Sequence, residues 1–211
     1  MTEPTQLGAL DLAALVSSRI CHDVINPVSA ITNGLEMLDE EQDEGMREAA
    51  MNLIRKSAAQ ASAKLQFARI AFGAAGSAGA EIDLRDAEKV AREFVQAIKH
   101  TLTWQGPAAT LPKNKAKLLL NLVALGVVAL PRGGNIDVEI SGNPPDVAFK
   151  VLAKGQAAKL TDEVRGLIAG VDGAGVDAHS IQPYYAGCVA AAAGMTVAIE
   201  AREGEVELKA G

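Results

Sequence analysis

Arg19-Ile20-Cys21-His22-Asp23-Val24-Ile25-Asn26-Pro27-Val28-Ser29-Ala30-Ile31-Thr32-Asn33-Gly34 is the stretch whose reading decides the fold. Placed on a helix of about 3.6 residues per turn, it sorts into two faces. Ile20, Val24, Val28, Ile31 and Leu35 gather on one side, and Ser18, Arg19, His22, Asn26, Ser29 and Asn33 on the other. His22 therefore points away from the apolar stripe, beside Asp23 and five residues before Pro27, a polar setting that core packing does not require. Neutral imidazole is a nucleophile near physiological pH, and a phosphate on its exposed nitrogen needs donors nearby. Arg19, one turn before, and Asn26, one turn after, reach the same face, and Asp23 could accept from the imidazole N–H and fix its tautomer. The pattern reads as a phosphate carrier on the outside of a helix.

Outward from this stretch, the first helix is expected from an N-cap at Asp11 to about Leu38, bent near Pro27 because proline removes a backbone donor. The charged run Asp39 to Gly45 reads as a solvated turn, and a polar lead, Met1 to Gly8, precedes the helix. A second helix, Glu44 to Phe72, carries Met51, Ile54, Ala58, Ala61, Leu65, Ala68 and Phe72 in alternating steps of three and four, a packing seam. Two helices of about 28 residues, ~42 Å long, suit an antiparallel hairpin. One hairpin cannot cover both apolar faces, so a second copy is expected to complete a four-helix bundle by homodimerisation.

Residues 1–75 thus form the hairpin domain, 76–80 a small-residue linker within Gly73 to Ala80, and 81–211 a second domain. There the patterns predict helices over Leu84 to Thr101, Asn114 to Leu130, Thr161 to Ile168 and Ser180 to Ala193. Strands are predicted at Thr103 to Gln105, Ile136 to Ile140, Val147 to Val151, Thr196 to Ala201 and Glu205 to Lys209, with Gly142 to Pro145 as one hairpin turn. The sum is an α/β sandwich, helices on one face of a mixed sheet. The Gly170 to Gly175 run lacks a following Lys or Ser/Thr and reads as a connection, not a phosphate loop.

Composition narrows the function. With 20 Lys+Arg against 26 Asp+Glu and a net charge of -6, the chain is not a general nucleic-acid binder. Cys21 and Cys188 lack metal or redox spacing and read as reduced, buried thiols. No metal site is expected. The run Leu118 to Leu130 falls short of the roughly 20 residues of a membrane span, and a cytoplasmic protein is expected. His100 and His179 share no ligand spacing and read as surface or capping residues.

His22-Asp23-Val24-Ile25-Asn26-Pro27 resembles the phospho-acceptor motif of sensor histidine kinases, H-[DE]-x-x-[NT]-P, on the first helix of their dimerisation hairpin. Together with Ser18 to Asp23, Ile31 to Glu36, Ala50 to Ile54 and Leu65 to Gly73, it is similar to the ChpT-type histidine phosphotransferases of alphaproteobacteria. The resemblance implies His22 as phospho-acceptor, with Arg19, Asp23 and Asn26 tuning position and charge. Receiver docking is expected on the exposed flank of the first helix, including Ser29, Ala30, Asn33 and Met37, with help from the second domain. The implied partners are a second copy of the chain, the receiver domain of a CckA-like hybrid kinase, and CtrA-like and CpdR-like response regulators.

The second domain resembles the ATPase-like (Bergerat-type) domain of those kinases, with Leu118 to Gly126 where their N-box lies. Asn121 matches its first asparagine, but the second, which helps hold magnesium, falls at Leu125, and the adenine-binding aspartate at Ala153. The resemblance therefore implies no ATP and no cofactor on this chain, with Mg2+ supplied by the partner receiver. Two other readings stand beside it: an ATP-dependent sensor-kinase core, and a non-enzymatic dimerisation scaffold.

Overall fold

In a computed structural model of the chain, residues 7–40, 43–73, 80–170 and 175–211 are described. Most of the expected polar lead, small-residue linker and Gly170 to Gly175 connection lies outside them. Helix α1 spans Ala9–Glu40 and α2 spans Glu44–Ala71. Asp11 lies inside the first turn of α1 and is not its cap; there its carboxylate faces the positive end of the helix. Asp43 caps α2 by accepting the Met46 amide. Lys64 meets Asp23 at one end of the pair and Gly34 lies against Ala50 and Ile54 towards the other, so the helices run antiparallel.

The expected apolar stripes divide. On α1, Ile20, Val24 and Ile31 are half-buried towards α2 with the buried Pro27 and Gly34, whereas Val28 and Leu35 stay 46% and 51% exposed. On α2, Ala61 and Ala68 turn inward with Ala50 and Ser57, while Met51, Ala58 and Leu65 remain exposed. Each exposed residue stands one position beyond an inward one and is turned from it by about 100°. In an antiparallel pair that turn carries both exposed stripes to the same side of the hairpin.

The second part comprises β1 (Glu81–Asp83), α3 (Leu84–Ala97), β2 (Thr101–Gln105), β3 (Thr110–Pro112), α4 (Lys113–Val128), β4 (Asn135–Asn143), β5 (Asp146–Lys154), α5 (Asp162–Ile168), α6 (Ile181–Ala193), β6 (Val197–Arg202) and β7 (Glu205–Ala210). Five strands form a sheet in the order β2-β4-β5-β7-β6, with β2 parallel to β4 and the rest antiparallel; β1 and β3 pair separately. Alternation puts Ile136, Val138, Val151, Ala153, Val206 and Leu208 into the core. The other face is polar, where Lys150 pairs with Glu139 and Glu207, and Lys154 with Asp137. Helix α4 lies on the apolar face, Gly126 against Ile136, Val151 and Ala153.

Helix α3 ends at Ala97, short of the expected Thr101: Lys99 takes a φ of 63° and the His100 amide bonds back to Val95, which releases Thr101 into β2. The three-residue β1 and β3 went unforeseen, being too short to show alternation. His100 is half-buried, its ring nitrogens 2.9 and 3.0 Å from the carbonyls of Ile98 and Leu130, a structural staple.

The hairpin and the sandwich share one core. Phe67, Ile70 and Ala71 of α2 join the sheet's hydrophobic cluster, and Phe67 stacks on Phe94 at 4.1 Å. The Leu7 amide donates to the Tyr184 hydroxyl at 3.0 Å, fastening the lead of α1 to α6. Among the described residues, no helix is long and apolar enough to cross a membrane.

Candidate functional site

His22 stands on α1 with its side chain 52% exposed. Its Nδ1 lies 3.8 Å from Asp23 Oδ1, too far for a hydrogen bond, so Asp23 does not fix the tautomer as expected. Asp23 Oδ2 instead accepts from Arg19 Nε at 2.9 Å, one helical turn back. Opposite charges at i and i+4 meet on a helix surface, and that spacing was the signal for the pair. Arg19 is held a second time, its Nη1 donating to the main-chain carbonyl of His179 at 3.1 Å. Neither Arg19 nor Asp23 is free to swing, and both are partly buried where α1 meets the second domain.

Pro27 explains a third contact. In a helix the carbonyl of residue 23 accepts from the amide of residue 27, and proline has none. Lys64 of α2 fills the gap, its Nζ donating to the Asp23 carbonyl at 2.8 Å. The proline thus leaves α1 with an acceptor beside His22, and the neighbouring helix supplies a cation to it. Sequence reasoning missed Lys64, although position 64 lies opposite position 23 in an antiparallel pair.

The other missed residue is His179. Its ring lies edge-on to that of His22, centroids 4.8 Å apart and planes at 80°. It comes from the turn before α6 and is exposed, a surface residue as expected, but one whose ring meets that of His22. A cleft of about 300 Å3 opens beside it, lined by Arg19, Leu125, Leu167, Asp177 and His179 among others.

Of the remaining expected site residues, Asn26, Ser29 and Asn33 are exposed on α1. Ala30 and Met37 are not on that open flank: both are half-buried, because their angular positions fall beside Pro27 and Gly34 on the side packed against α2. Cys21, expected to be buried, is exposed next to His22, and Cys188 is half-buried; both are free thiols.

Residues 84–205 match the family described as the histidine phosphotransferase C-terminal domain. The chain belongs to that family. It is 48% identical, over all of both chains, to the protein phosphotransferase ChpT of Brucella abortus (strain 2308). A solved structure of a bacterial phosphotransferase is 46% identical, covers 100% of both chains and superposes with a TM-score of 0.91. The resemblance carried by the His22 motif thus extends over the whole length, including the fold of a helical hairpin followed by a mixed α/β sheet.

In this histidine phosphotransferase, the residues at the three positions that matter for a kinase nucleotide site do not fit one. Asn121 is fully buried, and its Nδ2 donates to the carbonyls of Ala71 and Lys117 at 3.1 and 2.9 Å, tying α2 to α4. Leu125 and Ala153 are fully buried hydrocarbon, and hydrocarbon cannot coordinate a hard cation or accept from an adenine amine. Among the described residues, no group of three or more His, Cys, Asp or Glu is placed to hold a metal ion.

Proposed function

We propose that this histidine phosphotransferase works in a phosphorelay, with His22 taking a phosphoryl group from the receiver aspartate of a hybrid histidine kinase and passing it to the receiver aspartates of response regulators. The observation that carries the reading is the placement of the imidazole. It is half exposed on a rigid helix, Nδ1 faces the Asp23 carboxylate at 3.8 Å, and Nε2 has no hydrogen-bond partner among the described residues.

The neutral Nε2 lone pair forms the N–P bond as the P–O bond to the receiver aspartate breaks, and that electron pair leaves with the carboxylate. The proton on Nδ1 stays, so the ring becomes a cation, and the Asp23 carboxylate offsets that charge. The return transfer reverses each step. Magnesium belongs to the receiver's aspartate pocket in this scheme, and ATP plays no part. Receiver docking uses the exposed polar face of α1, Asn26, Ser29 and Asn33, next to the His22 ring. A second copy covers the exposed stripes of Val28, Leu35, Met51 and Leu65 and completes a four-helix bundle, since both stripes open to one side. The protein works in the cytoplasm, where receivers of hybrid kinases and regulators meet.

Incubation with a phosphorylated receiver domain tests the reading. Wild-type protein acquires acid-labile phosphate and the His22→Ala variant acquires none; undiminished transfer to that variant would sink it. Calorimetry with ATP addresses the kinase-core alternative, for which binding followed by self-phosphorylation is the required result.

A further inference from the structure

We propose that His179, brought by the second domain, is a positioning residue for the His22 ring during phosphotransfer. The inference rests on the reading of His22 as the acceptor. An exposed imidazole on a helix has a broad, nearly free terminal torsion, so its reactive nitrogen samples many directions. An edge-on neighbour at 4.8 Å, with planes at 80°, is the geometry that aromatic pairs prefer and is satisfied only over a narrow range of ring angles. The exposed ring is therefore held on one side.

The main chain of His179 is firmly placed. Asp177 Oδ1 accepts from the amides of His179 and Ser180, both at 2.8 Å, and from the Ser180 hydroxyl at 2.9 Å, closing the turn before α6. These bonds, the Ser180 amide foremost, hold the Asp177 carboxyl below the usual carboxylate range, so the turn stays closed through neutral pH. The His179 carbonyl is then fixed to Arg19 at 3.1 Å, and Arg19 to Asp23, the residue next to His22. This ring of contacts leads from α1 to the second domain and back to the same histidine.

A purely structural role for residue 179 is met by its main chain. The clamp to Arg19 uses the carbonyl, and the turn uses the amide, both of which any side chain would leave in place. What remains of His179 is its ring, and among the described residues the only ring it contacts is His22. The second domain, whose N-box-like positions are spent on packing, thereby contributes directly to the chemistry of the first.

The test is single-turnover transfer from a purified receiver domain phosphorylated on its aspartate, varied in concentration, with the full chain as wild type, His179→Ala and His179→Phe. Misplacement of a reacting group by about 1 Å can cost about 100-fold, and loss of one of its restraints is expected to slow the maximal rate of His179→Ala about 10-fold. The half-saturating receiver concentration stays within about 2-fold, since docking uses other residues. His179→Phe keeps an aromatic edge and recovers most of the rate. A maximal rate for His179→Ala equal to wild type, a defect confined to half-saturation, or no recovery with phenylalanine overturns the inference. Thermal melts of both variants matching wild type keep a folding defect out of the result. If His22→Ala still accepts phosphate, the reading of His22 falls; if it does not and His179→Ala is unaffected, only the present inference falls.

Discussion

Helices α1 and α4 use apolar and polar residues in opposite ways. In α4 every residue from Ala116 to Gly126 is buried, and its one buried amide, Asn121, is bonded to the carbonyls of Ala71 and Lys117. In α1, twice as long at 32 residues against 16, only Pro27 and Gly34 are buried. The helix that resembles a kinase N-box buries its side chains in the core, while the helix that carries His22 leaves most of its side chains exposed. The proposed acceptor is an exposed polar group, whereas the Nδ2 of the N-box-like asparagine is spent on holding two helices together. The contrast teaches that two helices of one chain can spend their side chains differently, one on the core and one on the surface.

The largest expected effect breaks the open side of the comparison. Val28→Asp combined with Leu35→Asp places two carboxylates on the exposed stripe of α1, where a second copy would have to desolvate them. Light scattering after gel filtration should report one chain in place of two at micromolar concentration, with the melting curve of the remaining fold retained. A variant that stays dimeric would show that another face joins the copies. On the closed side, Leu125→Asn restores the amide of the kinase N-box at a fully buried position. An unpaired buried amide and lost packing together cost about 2 to 4 kcal/mol, to be read from denaturant unfolding, and ATP titration should remain flat.

How much of this was legible beforehand follows from the range of each signal. The helices of α1, α2 and α4, the long hairpin of β4 and β5, and the last hairpin all carry periodic patterns over a turn or more, and their boundaries were readable to within a few residues. The exposure of His22 was legible because its polar neighbours repeat at helical spacing. His179 was not, because a contact across 157 positions leaves no local pattern. The Arg19–Asp23 pair was written in its i, i+4 spacing and was passed over because Arg19 was assigned to the phosphate and Asp23 to the imidazole N–H. The α1 stripe was read as one face because an apolar side chain carries no label saying which partner covers it: Ile20 and Val24 face α2, Val28 and Leu35 do not.

Lys64 sharpens the comparison from a third side, since it is a polar group of α2 consumed on behalf of α1. Substitution by Met keeps the stem and removes the donor, leaving the Asp23 carbonyl without the partner that Pro27 denies it. A hydrogen bond from a charged donor contributes about 1.5 to 3 kcal/mol, and partial solvent access at this position places the expected loss near the lower figure. Because the freed carbonyl is one residue from His22, the transfer rate should fall along with the stability. Equal stability of Lys64→Met and wild type in urea would mean that water replaces the ammonium without cost.

The smallest effect concerns Gly34, one of the two buried residues of α1. An added Cβ there would lie 2.7 Å from Ile54 Cγ1 and 3.4 Å from the Ala50 carbonyl oxygen. Alanine is favoured over glycine in a helix interior by about 1 kcal/mol, which by itself makes Gly34→Ala stabilising. Overpacking a closed contact costs about 1 to 3 kcal/mol, and Cγ1 is a branch-point neighbour whose movement carries the whole Ile54 side chain with it. The two terms oppose, and the clash wins by about 1 kcal/mol at most, a small net loss in urea unfolding. Ile54→Ala removes the clashing Cγ1 itself, so Gly34→Ala should cost nothing further, or be slightly stabilising, when it is made in an Ile54→Ala background. Were Gly34→Ala stabilising alone, the crossing of α1 on α2 would be looser than its geometry indicates, and α1 would be open along its inner face as well as its outer one.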